Sequence, residues 1–250
     1  MKDLSFFAGK KQILQDLNLT LSYGQFVSII GPNGAGKSTF LKCLAAVTKP
    51  TSGVISIDGV PLNRLKNEER AKTIGYVPQH FQQSFPMSVR EYIMLGRKPY
   101  IKWNVTNIDQ QIVEQTLQYL KLENLQHNYV DELSGGERQR TSIARALVQQ
   151  PTVFMLDEPI SALDIKHQIQ VLNSIKKLAN DNSLVVVVLH DLELAARYSD
   201  YVVLMNQGKI YKEGNPVEVI TEQSLREVYE VYTQIRPNDY GLDITVIGSV

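Results

Sequence analysis

The sequence predicts an α/β fold in which a mostly parallel sheet is flanked by an antiparallel β layer and interrupted by an inserted helical subdomain. Three observations carry this. The apolar runs Val153-Phe154-Met155-Leu156-Asp157 and Leu184-Val185-Val186-Val187-Val188-Leu189-His190 do not alternate, as expected of parallel strands covered on both faces. Phe26-Val27-Ser28-Ile29-Ile30 runs through a glycine-rich stretch into Phe40-Leu41-Lys42-Cys43-Leu44-Ala45-Ala46, giving strand, tight loop and helix in series. Between residues 86 and 132 the apolar spacing turns helical.

Taken in order, Leu4 to Leu21 reads as two strands joined near Ala8-Gly9-Lys10-Lys11, with Leu17, Leu19 and Leu21 alternating against Asn18 and Thr20. Tyr23-Gly24 turns into the strand at Phe26, and Pro50-Thr51-Ser52-Gly53 breaks the helix that follows the glycine-rich loop. Val54 to Asp58 alternates as an antiparallel strand ending at Gly59. Ile74-Gly75-Tyr76-Val77 is a short buried strand stopped by Pro78-Gln79. Ser88 caps a helix running to Leu95, with Glu91 in the capping-box position. Gly96 to Trp103 reads as a loop, and Ile108 to Leu120 as a helix with Val113, Leu117 and Leu120 on one stripe. Trp103, the single tryptophan, is expected to anchor this lobe, with a partner contact as the other reading. The resulting layout is one domain: a core of 1–85 and 133–250 and a helical subdomain of 86–132. Ile165 to Ala179 is helical, Tyr201–Met205 and Lys209–Lys212 form a hairpin across Asn206-Gln207-Gly208, and Ser224 to Val231 is a short helix. The tail to Val250 is weakly patterned.

Bulk properties narrow the function. At 250 residues and 43% hydrophobic content the chain can build a full-sized core. Twenty-six basic residues balance 26 acidic ones, which argues against a surface dominated by nucleic-acid binding. Cys43 is the single cysteine, so a reduced compartment and a core thiol are expected. No apolar run approaches the length needed to cross a bilayer, so work at a membrane requires another chain.

The glycine-rich loop is Gly31-Pro32-Asn33-Gly34-Ala35-Gly36-Lys37-Ser38-Thr39. Its glycines let successive backbone N–H groups turn inward around a polyphosphate, and the helix that follows aims its positive end at the same anion. Lys37 reaches the β- and γ-phosphates, and the Ser38 hydroxyl suits Mg²⁺. The chain therefore binds a nucleoside triphosphate. Asp157 ends a buried strand where parallel sheets place ligands and can hold Mg²⁺. Glu158, the next residue, is the candidate for orienting and deprotonating the attacking water. Gln79 ends a third strand at the same edge and can coordinate Mg²⁺ or hold water, while His190 is positioned for the γ-phosphate. Leu133-Ser134-Gly135-Gly136-Glu137-Arg138-Gln139-Arg140 opens a helix whose Ser134 and Glu137 fit a capping box. Two glycines there weaken the helix unless something approaches its backbone closely, and such a terminus is a second anion site. Ser161-Ala162-Leu163-Asp164 adds another S-x-x-D pattern beyond Glu158. A head-to-tail pair satisfies all of this, each nucleotide lying between one copy's phosphate loop and the other's Ser134–Glu137 helix.

These motifs, in this order, resemble the ATP-binding subunit of an ABC transporter over essentially the whole chain. The phosphate loop resembles Walker A of a P-loop NTPase core, Gln79 the Q-loop glutamine and Leu133–Arg140 the signature motif. Val153–Glu158 resembles Walker B, Ser161–Asp164 the D-loop and His190 the switch histidine. The resemblance implies ATP hydrolysis with Mg²⁺ by a nucleotide-sandwich dimer, docked beneath two transmembrane permease subunits at the cytoplasmic face of the cell membrane. Tyr76–Gln79, Val89-Arg90-Glu91 and Leu95-Gly96-Arg97 resemble importers of iron complexes such as ferric siderophores, haem and cobalamin, which imply a separate substrate-binding protein. Molybdate or tungstate importers are similar. A GTPase or small-molecule kinase would share the phosphate loop but not Leu133–Arg140. A soluble ABC ATPase of DNA repair or translation would carry a second cassette or a long coiled-coil insertion, and this chain has neither.

Three positions depart from the family pattern. Glu137 stands where glutamine is commonest, and is expected to turn back on the backbone as a cap, leaving Ser134, Gly135 and Gly136 for phosphate. Ile160 replaces a usual threonine. Ala8 occupies the place of the adenine-stacking aromatic, so Phe7 beside it is the candidate for that contact.

Overall fold

Alternate residues of the central strands face two different layers, and this sets the architecture. The computed structural model of the chain describes residues 1–79, 86–161, 163–179 and 182–250. In chain order the strands and α-helices are β1 (Lys2–Ala8), β2 (Lys11–Leu17), β3 (Phe26–Ile30), α1 (Lys37–Leu44), β4 (Ser52–Val54), β5 (Ser56–Ile57), β6 (Val60–Pro61) and α2 (Asn67–Thr73). Then come β7 (Ile74–Val77), α3 (Val89–Met94), α4 (Asn107–Leu120), α5 (Gly135–Leu147), β8 (Val153–Asp157), α6 (Ile165–Ala179), β9 (Leu184–Val188) and α7 (Leu192–Tyr198). The chain closes with β10 (Tyr201–Asn206), β11 (Lys209–Gly214), α8 (Pro216–Val219), α9 (Glu222–Tyr229), β12 (Val231–Asn238) and β13 (Gly241–Ser249).

The main sheet has the order β11-β10-β3-β9-β8-β7. It is parallel from β10 to β7, with β11 antiparallel at one edge. Val27, Ile29, Val153, Met155, Val186 and Val188 face α1 and the antiparallel layer, which is the sheet β2-β1-β4. Phe26, Ile30, Phe154, Leu156, Val185 and Val187 face the other way, into a cluster shared with α3, α4, α5, α6 and α7. That two-sided burial is the reason the strand sequences show no alternation. Cys43 is fully buried, its thiol pushed up to about 11 by burial, as suits an inert core residue.

The expected α/β class, with its antiparallel layer, is the observed one, and several local expectations need correction. The strand at 54–58 is split: β4 pairs with β1, while β5 and β6 form a tight hairpin. Asp58 (φ 51°) and Gly59 (φ 77°) both sit at positive φ, so the Asp-Gly pair makes a turn of the hairpin kind instead of merely ending a strand. The stretch Asn18–Leu21 keeps its alternating burial but has left the strand, which stops at Leu17. The segment Gly96–Trp103 begins inside a 3₁₀ turn, Leu95–Arg97. Trp103 is 93% exposed and anchors nothing. The predicted strand to His190 ends two residues earlier at Val188, and the predicted helix at 224–231 starts sooner, at Glu222, because Thr221 caps it. The tail is a hairpin, β12 with β13, laid on α7 and α9. Its signal was the alternation Val231, Thr233, Ile235 against Tyr232, Gln234, Arg236, with the turn residues Asn238 to Gly241 behind it.

Candidate active site

Four parallel strands end at one edge of the sheet, and each delivers a polar residue there. The loop after β3 supplies Gly31 to Lys37, β7 leads to Gln79, β8 ends at Asp157 with Glu158 following, and β9 leads to His190. This is where open parallel sheets accept ligands.

The phosphate loop owes its shape to positive φ at Gly31 (147°), Gly34 (81°) and Gly36 (97°). A Cβ on Gly36 would sit 2.9 Å from Leu14 Cδ2 and 3.2 Å from the Ile13 carbonyl, so β2 packs directly behind the loop. Gly36 starts α1 in the left-handed region with no side-chain cap. The first N–H groups of α1 are thus left to an external anion. Pro32, Asn33, Gly34, Ala35 and Thr39 complete the loop, with Asn33 and Gly34 exposed at its tip. The Lys37 ammonium is buried and folds back to donate to the carbonyls of Gly31 (2.7 Å) and Pro32 (3.0 Å). Burial lowers its pKa, opposed by the charges of Glu158 and Asp157.

Behind the loop, the Ser38 hydroxyl donates to Asp157 Oδ1 at 2.9 Å. Asp157 is 1% exposed, and burial raises its pKa, opposed first by the Ser38 hydrogen bond. A serine hydroxyl and a buried carboxylate in contact form the oxygen donor set that Mg²⁺ prefers. Glu158 is held from both sides: the Gln79 amide donates to its Oε2 at 2.6 Å, and His190 Nε2 lies 2.5 Å from its Oε1. Its backbone sits at φ 51°, a left-handed conformation that costs a non-glycine residue energy and that clusters at functional positions. The geometry offers a carboxylate able to accept a proton beside a loop able to hold a triphosphate.

The second predicted anion site lies on α5. Ser134 caps it, accepting from the Glu137 N–H, while Glu137 Oε2 accepts from the Ser134 N–H (2.9 Å) and hydroxyl (2.6 Å). The Ser134 hydroxyl beside Glu137 holds that carboxyl below its ordinary value. Glu137 therefore turns back as a cap, as the sequence predicts, with Gly135 and Gly136 opening the helix.

The family model described as ABC transporter matches residues 14–161. The chain belongs to the ABC transporter family. It is 43% identical over 244 residues to an uncharacterised ABC transporter ATP-binding protein of Methanocaldococcus jannaschii, covering 97% of this chain and 95% of that one. It is 36% identical to the petrobactin import ATP-binding protein YclP of Bacillus subtilis, covering 96% of this chain and 95% of YclP. It is 40% identical to the hemin import ATP-binding protein HmuV of Bordetella avium, covering 95% and 94%. Among solved structures, an inward-facing metal-chelate type ABC transporter superposes with TM-score 0.84 at 29% identity, covering 100% of this chain and 96% of that one. The ATP-binding cassette MJ0796, dimeric and bound to ADP and Pi, gives 0.78 at 31% identity over 86% of this chain and 97% of that one. This ABC protein is an ATPase with the P-loop NTPase fold.

At one sheet edge the fold gathers the phosphate loop, Gln79, Asp157, Glu158 and His190. Other predicted residues stand apart from that cluster. Asp164 accepts from the backbone N–H of His167 and contacts its Nδ1 at 2.7 Å, closing the cap of its own helix. Ala162 of the same motif, and residues 80–85 at the predicted core boundary, lie outside the described residues. Phe7 is 42% exposed and pairs with Gln12, next to the Ile13 that backs Gly36. Ile160 is buried. Sequence reasoning missed Tyr76, whose buried hydroxyl finds no hydrogen-bond partner among the described residues and whose pKa is pushed up to about 12 by burial, with the Asp157 charge adding to it. Its place two residues before Pro78 carried no sign of that burial.

Proposed function

We propose that this ATPase powers an importer of iron complexes, siderophore or haem in kind, from the cytoplasmic face of a cell membrane. The petrobactin and hemin import proteins among its relatives, together with the metal-chelate type transporter among its structural neighbours, support the substrate class. No helix among the described residues is long and apolar enough to cross a membrane, so two permease subunits would carry the solute, fed by a substrate-binding protein. Segment 86–132 would act as the helical subdomain within the core of 1–85 and 133–250, with Gln79 at the junction. A nucleic-acid role has no support in the charge balance.

The observation that carries the mechanism is the grip of Gln79 and His190 on the two oxygens of Glu158, beside Lys37 and the uncapped start of α1. ATP enters by displacing the Lys37 ammonium from the loop carbonyls onto the β- and γ-phosphates, while the loop N–H groups and α1 hold the rest. Ser38 and Asp157, joined by Gln79, would hold Mg²⁺, which neutralises charge on the phosphate oxygens. Glu158, freed from Gln79, orients the attacking water and takes its proton. His190 turns to the γ-phosphate. Ser134, Gly135 and Gly136 of a second copy close the site from the opposite side, and Asp164 lies along that seam. Phe7 stacks on the adenine from the rim of the antiparallel layer. Glu158→Gln should reduce turnover at least 100-fold with ATP still bound. Hydrolysis at the normal rate by that variant removes Glu158 from the role. Uptake of a ferric siderophore or haem by cells carrying the matching permease, lost on Lys37→Ala, tests the substrate class; unchanged uptake of both contradicts it.

A further inference from the structure

Trp103 stands 93% exposed on a loop whose base is fixed. Three residues earlier, Tyr100 donates its N–H to the Arg97 carbonyl (2.8 Å) and its hydroxyl to the Gln149 carbonyl (3.0 Å). The buried Arg97 guanidinium lies 4.0 Å from the centre of the Tyr100 ring. Trp103 is not an isolated apolar residue in water, since Leu95, Val105 and Ile108 are exposed on the same segment. A patch of this kind marks a contact surface more often than a single exposed side chain does.

Cations surround the ring. Lys98, Ile101, Lys102 and Trp103 share a surface cleft with Glu68 of α2, and a second cleft joins Leu95 and Lys98 to Glu68 and Arg145. From Leu95 to Thr106 the sequence carries Arg97, Lys98 and Lys102 and no acidic residue, in a chain whose charges balance overall. The glutamates of α2 are engaged. Glu68 pairs with Lys72 at 2.6 Å, and that ammonium also lies 5.1 Å from the centre of the Tyr100 ring. Glu69 accepts from the Lys66 N–H at the helix start, at 2.8 Å. Lys66, Lys98 and Lys102 are exposed and form no ion pair among the described residues. The result is a local excess of unpaired positive charge around an exposed indole.

The place and chemistry of the patch select its occupant. It meets α5 at Arg145, whereas Ser134 caps the opposite end of that helix, roughly 16 Å away along its axis. A second copy seated at Ser134 therefore approaches the other end. Contacts between proteins are depleted of lysine, while anionic lipid surfaces attract lysine and hold tryptophan at the level of the headgroups. We propose that Trp103 with Lys66, Lys98 and Lys102 forms a contact for an anionic lipid surface, the lysines meeting headgroup phosphates and the indole entering between them. This rests on the membrane-face reading above and adds to it a lipid contact made by the ATPase itself. One ring and a few lysines give reversible binding, far weaker than a spanning helix.

The test uses the full-length chain with vesicles of equal parts phosphatidylglycerol and phosphatidylcholine, and with vesicles of phosphatidylcholine alone. Trp103 is the single tryptophan, so the emission of the whole protein reports on that ring. Emission is expected to shift to the blue and the chain to sediment with the anionic vesicles only, both effects fading as salt is raised. Lys98→Ala with Lys102→Ala should weaken vesicle binding at least tenfold and leave ATP affinity unchanged. Absence of binding to anionic vesicles overturns the proposal, as does equal binding to the neutral ones or undiminished binding by the double variant. A blue shift with detergent-purified permease but not with vesicles also overturns it, because the occupant is then a protein. Uptake of iron complexes by cells separates this from the importer reading. Uptake without vesicle binding removes the lipid contact alone, and vesicle binding without any such uptake removes the substrate class and leaves the contact standing.

Discussion

Lys37 makes the residue-scale case most simply, because its ammonium is buried with backbone carbonyls as its hydrogen-bond partners. An ammonium held that way is a ligand in waiting: phosphate oxygens are stronger acceptors for a cation than peptide carbonyls. Lys37→Ala is expected to lower ATP affinity by at least tenfold, measured by calorimetric titration, with the fold intact by circular dichroism. Glu158 shows how much of the site was legible. Its place after a buried strand and an aspartate pointed to catalysis. Its left-handed backbone did not show in its residue type, and the double grip did not because Gln79 and His190 follow strands far apart in sequence. Tyr76 escaped notice for the same reason: the burial of its hydroxyl is a property of the packed fold.

At the scale of elements, capping chemistry was the most readable signal. Ser88 with Glu91 and Ser134 with Glu137 both form the reciprocal caps their spacing predicts. Apolar runs located β3, β7, β8 and β9 because burial on two faces leaves few polar residues, such as Ser28 in β3, to confuse the pattern. The C-terminal hairpin was illegible by contrast: it is covered on one side only, so Tyr232, Val246 and Ile247 stay exposed and blur the alternation. Ser134→Ala removes the cap hydroxyl and, on the proposed function, the group offered to a second copy's nucleotide. It should lower ATPase rate in the dimer with little change in ATP affinity of the single chain; an unchanged rate would contradict the second anion site. The junction between α4 and α5 depends on Arg97, buried, donating to Asp109 (2.9 Å) and the Val148 carbonyl (2.7 Å) and stacked 4.0 Å over Tyr100. Arg97→Ala takes the charged partner from a buried Asp109 that keeps only its Thr106 hydrogen bonds, and should cost about 3–5 kcal/mol in denaturant unfolding. The Thr106 hydroxyl first, then Arg97, holds the Asp109 carboxyl below its ordinary 3.8. Its contribution is in full force above that value and fades as pH falls through the lowered one. Acid unfolding of the Arg97→Ala chain should therefore begin at higher pH than that of the parent.

Across the whole molecule, charge balance and a two-layered core say little about work done; the arrangement of ends does. One sheet edge carries a loop shaped for a triphosphate, a metal-suited pair and a carboxylate, while the capped start of α5 is the anion site proposed for a partner copy. On the function proposed above, neither half would close around a nucleotide alone, and ATP would serve as the joint between two copies that its cleavage parts. Sedimentation of the Glu158→Gln chain with and without ATP and Mg²⁺ tests this most directly. Twice the chain mass with ATP, falling to a single chain without it, is the expected result. A single-chain mass with ATP bound at saturation would contradict the shared site.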